Sequence, residues 1–180
     1  MIRAPMKGSE MVSSASAGLP RGRAFKNAAA GFVVLLAVAG GSWLSRAEDT
    51  AALVPAPALD NAKSEGAIET AVLAGGCFWG VQGVFQHVVG VMSAISGYSG
   101  GDKAYHTYET VSTGRTGHAE SVEIRFDPAQ ISFGEILRIY FSVVTDPTQL
   151  NRQGPDVGTQ YRSAIFFTNE GQERIARGYV

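Results

Sequence analysis

From Ala71 the chain is apolar for four residues before Gly75-Gly76, and a short apolar run bounded by glycine predicts a strand. Phe78, Val81, Val84, Phe85 and Val88 then recur with helical period, and Gly90 closes that pattern. Val91 to Tyr98 and His118 to Phe126 predict two further strands, joined by a glycine-rich polar connection. The second of these alternates cleanly. His118, Glu120, Val122, Ile124 and Phe126 share one face, and Ala119, Ser121, Glu123, Arg125 and Asp127 share the other, so Glu120 lies on the apolar side. Ser132 and Glu135 have the spacing of a capping box, and Phe133, Ile136, Leu137, Tyr140, Phe141 and Val144 continue a second helix. After a long polar loop, Ser163 to Thr168 predicts a fourth strand, and from Asn169 another helix begins.

The order β-α-β-β-α-β predicts an α+β fold, a ferredoxin-like two-layer sandwich in which two helices cover one face of a four-stranded antiparallel sheet. In that topology the first strand lies between the third and fourth and runs antiparallel to both. Cys77, His118-Ala119-Glu120 and Gln160-Tyr161-Arg162 are then expected at one sheet edge, with the loop carrying Tyr108 above them.

Charge divides the chain. Residues 1–47 hold six Lys/Arg against the single acid Glu10, leaving nine basic and fifteen acidic residues in the remainder of a chain whose net charge is −1. An acidic domain without a basic patch argues against nucleic acid as a partner. Arg21, Arg23 and Lys26 precede an uncharged stretch from Ala28 to Leu44, followed by Ser45-Arg46-Ala47. Residues 1–47 therefore read as an export signal cut before Glu48, with a membrane anchor as the alternative. Residues 48–66, with Pro55 and Pro57, read as a flexible tether, and 67–180 as the working domain. The expected location is the periplasm, or the outer side of the membrane if the segment stays attached. Cys77 is the single cysteine of the 180 residues, and an unpaired cysteine in an exported chain reads as a reactive thiol.

A thiol at the first turn of a helix meets unpaired N–H groups and the positive end of the dipole, which favours the nucleophilic thiolate. The alternative for Cys77 is a buried small hydrophobe. Glu120, on the apolar side of its strand, loses hydration, which favours the neutral carboxyl and makes it a candidate general acid. Its alternative is a carboxylate paired with Arg115 or Arg162. A thiolate beside an acid suits attack on a sulfoxide whose oxygen must be protonated to leave. Two other classes stay open: a cysteine hydrolase using Cys77, His118 and an aspartate, and an inactive ferredoxin-like fragment serving as a binding module. A zinc deaminase built on His118-Ala119-Glu120 fails for want of further cysteines.

Gly75-Gly76-Cys77-Phe78-Trp79-Gly80 resembles the signature of the peptide methionine sulfoxide reductase A family. The resemblance continues through Gly97-Tyr98-Ser99-Gly100-Gly101, Thr107-Tyr108-Glu109, Gly117-His118-Ala119-Glu120, Asp146-Pro147-Thr148-Gln149 and Gly158-Thr159-Gln160-Tyr161-Arg162-Ser163. It implies a thiol-dependent peptide-methionine (S)-S-oxide reductase acting on methionine sulfoxide, free or in oxidised proteins, as oxidative damage repair. Glu120 is then the proton donor, and Tyr108 and Tyr161 donate hydrogen bonds to the sulfoxide oxygen. Phe78 and Trp79 form the pocket for the S-methyl group, and Asp156 lies near the substrate. No cofactor or metal is implied, since reducing equivalents come from thioredoxin or other thiols through a sulfenic acid on Cys77. Family members generally continue into a segment that often carries resolving cysteines, so the domain is expected to be truncated at its C-terminus.

Overall fold

The structure is a computed structural model that describes residues 12–13, 53–63 and 65–180. The expected signal or anchor within 1–47 lies, apart from Val12–Ser13, outside the described residues. Among the described residues no helix is long and apolar enough to cross a membrane. The elements are β1 (Val12–Ser13), β2 (Glu69–Ala74), α1 (Phe78–Phe85), β3 (Val91–Ser99), α2 (Tyr108–Val111), β4 (Ala119–Phe126), α3 (Phe133–Ile139), β5 (Arg152–Gln153), β6 (Asp156–Val157), β7 (Ala164–Phe166) and α4 (Glu170–Tyr179).

The architecture is α+β. Five strands form one antiparallel sheet in the order β1-β3-β4-β2-β7, and β5 and β6 make a small separate hairpin. β2 sits between β4 and β7 because its side chains are apolar on both sides: Ala71 and Leu73 enter the main core under the helices, and Val72 and Ala74 enter a second cluster with Ala119, Ala164 and Phe166. A strand covered on both faces needs no polar alternation. β4 keeps its alternation, with Val122, Ile124 and Phe126 in the main core and Arg125 exposed.

Several elements differ from expectation for identifiable reasons. α1 stops at Phe85, and Val88 packs on the core from a tighter turn closed by His87 N–H to the Val84 carbonyl and Val88 N–H to the Phe85 carbonyl. The second predicted helix changes pitch. After Ile139 it widens into a π turn over Tyr140–Val144, closed by Thr145 N–H to the Tyr140 carbonyl, while the Tyr140 hydroxyl donates to the Ala74 carbonyl at 2.6 Å. The helix layer holds three helices instead of two, because α4 packs against α3 and contributes Ile175 and Ala176 to the main core. α2 and the β5–β6 hairpin interrupt segments expected to be irregular.

The stretch expected as a tether is docked over its described part. Val54 donates its N–H to Ser142 Oγ and accepts from Arg138 Nε, and the Pro55 carbonyl accepts from the Tyr179 hydroxyl. Asp60 accepts from Gly134 N–H and the Ser132 hydroxyl. Gly134 makes that approach possible, since a Cβ there would fall 2.5 Å from the Asp60 carboxyl. Residues 53–63 thus form a strap running antiparallel along α3.

Candidate active site

β2 ends at Ala74, and the chain reverses through Gly75-Gly76 into α1. Gly76 has φ +98, and a Cβ there would lie 2.8 Å from the Gln153 side chain, so both conformation and space demand glycine. Cys77 is consequently the N-cap residue of α1. Its carbonyl accepts from the N–H groups of Gly80 and Val81, and its side chain makes no capping bond. Cys77 as a residue is partly exposed at the helix start, and its side chain is not used for capping.

The open cap is filled from elsewhere. Glu120 Oε2 accepts a 2.9 Å hydrogen bond from Phe78 N–H, the first amide of α1. This one contact brings the carboxyl beside the residue that follows Cys77, across 42 positions of sequence. Glu120 is 3% exposed. Burial is the largest influence on its proton affinity and raises it; the Phe78 hydrogen bond works the other way, the nearby Asp156 charge adds to the rise, and the net pKa lies above the ordinary glutamate value.

Tyr161 reports the same convergence from the opposite side. It ends a 3-10 turn, Thr159–Tyr161, and its pKa is raised by burial and then by Glu120, Asp156, Tyr108 and Cys77. Tyr108 is the first residue of α2, whose N-cap Thr107 accepts from Thr110 N–H, so the tyrosine is carried on a short helix and not on a loose loop. Trp79 is 66% exposed and supplies apolar surface next to Cys77, its ring 5.7 Å from that of Phe78. The Phe78 ring differs from the expected open pocket wall: it is core, 2% exposed, and packs on Tyr98. What Phe78 presents to the site is its amide. Asp156 sits on β6 and acts on Glu120 and Tyr161 through its charge.

His118 is placed for structure. Its Nδ1 accepts from Gly101 N–H and its Nε2 then donates to the Asp102 carbonyl at 2.9 Å, so neither nitrogen is left to serve Cys77 as a base. That removes the base from the hydrolase reading. Arg162, considered as an ion partner of Glu120, donates to the carbonyls of Gly117, His118 and Thr159 and so fastens the start of β4 to the 3-10 turn.

The family model described as peptide methionine sulfoxide reductase matches residues 69–180, more than half of the chain. This chain belongs to that family. A peptide methionine sulfoxide reductase MsrA 2 of Mesorhizobium japonicum is 65% identical over 112 residues, covering 62% of this chain and 57% of that protein. A protein of the same description from Synechocystis sp. is 51% identical over 148 residues, covering 81% and 68%. Among solved structures, methionine sulfoxide reductase A of Corynebacterium diphtheriae superposes with a TM-score of 0.56 at 39% identity, covering 64% of this chain and 54% of that one. Reduced Mxr1 of Saccharomyces cerevisiae gives 0.58 at 30% identity, covering 62% and 66%. The chain thus spans 57% of the M. japonicum relative and 54% of the C. diphtheriae structure.

Two features beside Glu120 carry no signal of their own in the sequence: the Phe78 amide has no side-chain signature, and Tyr98, a strand end within the Gly97-Tyr98-Ser99-Gly100-Gly101 motif, has no role implied for it. The alternation of β3 against β4 contained the signal for Tyr98, since it stands in register with Glu120.

Proposed function

We propose that this chain is a thiol-dependent reductase of methionine S-sulfoxide, free or in oxidised proteins, and that it repairs oxidative damage. The observation that carries this is the Glu120 carboxyl hydrogen-bonded to the amide next to Cys77, buried and with raised proton affinity. The Cys77 thiolate meets the sulfoxide while Glu120 gives its proton to the oxygen. The methionine S–O bond breaks and a Cys77 S–O bond forms. Cysteine sulfur loses two electrons and methionine sulfur gains two, leaving methionine, a Cys77 sulfenic acid and a Glu120 carboxylate. Two thiol groups, of thioredoxin or a small dithiol, then return the sulfenic acid to thiol with release of water and a disulfide.

In this reading Tyr108 and Tyr161 hold the sulfoxide oxygen, Trp79 offers the apolar surface that receives the S-methyl group, and Asp156 orients the substrate and favours the protonated form of Glu120. The chemistry calls for no cofactor or metal. The strand order, with β2 antiparallel between β4 and β7, supports a ferredoxin-like arrangement as the frame of the site. The basic-then-apolar sequence of residues 21–47 supports export to the periplasm, with anchoring as the alternative.

Mass spectrometry of the purified chain after exposure to each sulfoxide epimer tests the reaction. One added oxygen on Cys77 and about one methionine released per chain are expected with the S epimer in the absence of thiols, and many turnovers with a dithiol. Cys77→Ser should release none while keeping the thermal transition. Equal reaction with both epimers, or methionine release by the serine variant, would refute the assignment.

A further inference from the structure

Tyr98 carries a hydroxyl that is buried and has no hydrogen-bond partner among the described residues, in a residue only 2% exposed. Buried donors in native structures are nearly always paired, so an orphan calls for an explanation. Tyr98 stands directly across from Glu120 in the β3–β4 ladder. It belongs to the helix-side core with Val122, which shares the face of Glu120 by alternation. Side chains so paired start roughly 4.5–5.5 Å apart at Cβ.

The ring cannot turn away to find water. It is held between Phe78, at 5.6 Å, and His118, at 6.2 Å. Phe78 offers no side-chain acceptor, and both nitrogens of His118 are occupied. The charges acting on the phenol are those of Glu120 first, then Tyr108, Glu109 and Tyr161, so it faces the groups of the site. Burial, the largest cause, and these charges push its pKa up to about 12, which keeps it a donor throughout the working range.

We propose that Tyr98 is a positioning residue for the acid step, idle while Glu120 holds its proton and donating a hydrogen bond to the Glu120 carboxylate once that proton has passed to the sulfoxide oxygen. The inference rests on the reduction proposed above. The Glu120 O–H bond breaks and an O–H bond forms on the transferred oxygen, while the phenol keeps its own proton and no electrons move through it. After the sulfenic acid has been reduced, the proton on the Cys77 thiol returns to Glu120. An interaction absent before proton transfer and present after it lowers the barrier without tightening substrate binding. The need is electrostatic: Asp156 acts on Glu120 through its charge, Glu109, Tyr108 and Tyr161 act on Tyr98, Cys77 acts on Tyr161, and His118, packed on Tyr98, has Nδ1 accepting from Gly101 N–H and Nε2 donating to the Asp102 carbonyl. None of these supplies a cation to receive the new charge.

Tyr98→Phe removes one oxygen atom and preserves the ring contacts. In the full 180-residue chain the single-turnover rate of methionine release should fall about tenfold, as expected for a lost hydrogen bond to a charged group, with sulfoxide affinity unchanged. The Glu120 titration, followed by carbon-13 NMR of the carboxyl, should move to higher pH because the carboxylate has lost its donor. Thermal stability should hold or rise, since an unpaired buried donor has gone, whereas a purely structural tyrosine would lose stability and rate together. In a Glu120→Gln background, Tyr98→Phe should cost nothing further. A wild-type rate with an unmoved Glu120 titration, or a full additional loss in the glutamine background, would overturn the inference. Should the unaltered chain release no methionine, the reductase reading falls, while the titration still decides whether Tyr98 serves Glu120.

Discussion

Two helices in this domain begin with a glutamate at their first amides, and the two glutamates are set to opposite ends. At α3 the start is saturated: Ser132 Oγ accepts from Glu135 N–H, Glu135 Oε2 accepts from Ser132 N–H, Asp60 accepts from Gly134 N–H, and Lys63 pairs with Glu135 at 3.1 Å. There burial is outweighed by the hydrogen bonds from Ser132 and by Lys63, and the Glu135 pKa is lowered. At α1 the cap residue is Cys77, whose side chain does no capping, and the Glu120 carboxyl accepts from Phe78 N–H. Burial prevails there and the Glu120 pKa is raised. One helix end favours a charged carboxylate, and the other favours the neutral carboxyl.

The sharpest way to break this contrast is Glu120→Gln. Sulfoxide reduction in single turnover should slow by roughly 10²–10⁴, the usual worth of a positioned acid. Stability should move the other way. A carboxyl with a raised folded pKa weakens the fold as pH climbs from the ordinary value of 4.5 through the folded value, so the glutamine variant should melt higher than wild type at pH 7. Below pH 4.5 the two should converge, and a melting difference that persists there would deny the burial origin of the shift.

A middle-sized effect is expected at the other helix. Ser132→Ala should cost about 1 kcal/mol in denaturant unfolding, the typical value of an N-cap, and leave the reduction rate within about twofold. A large loss of rate would mean that the two helix starts are coupled.

The smallest change should come from Glu135→Gln, and its sign is the useful part. A lowered folded pKa stabilises above the unfolded value and the benefit is lost as pH falls through the folded one, so this variant should melt slightly lower at pH 7 and match wild type in acid. With the side chain 42% exposed, solvent screening keeps the effect small. The two glutamine variants should therefore shift the melting temperature in opposite directions at neutral pH.

What the sequence revealed follows the same division. The α3 cap is local, Ser132 and Glu135 three apart, and its spacing is readable at once. The α1 cap joins Phe78 to a residue 42 positions away and depends on how β4 registers with β2, which spacing alone does not encode. The apolar run of β2 and the alternation of β4 were legible because burial writes itself into hydropathy. The π turn at Tyr140–Val144 was not, since the same apolar period fits either pitch and the change rests on the Tyr140 hydroxyl reaching Ala74. Asp60 was hidden for a related reason: its partner Ser132 is 72 residues on, and a proline- and alanine-rich stretch looks like a spacer until the surface it lies on is known.

The strap bears on how this domain responds to mechanical load. Because residues 53–63 run antiparallel to α3 and are fastened at Val54 and again at Asp60, tension applied ahead of Val54 meets the fastenings in succession, like a zipper opened from one end. The first to yield borders Ser142, inside the π turn whose Tyr140 grips Ala74 just before the nucleophile. A pull applied at Val54 itself would thus reach the threshold of Cys77 before it reached β2.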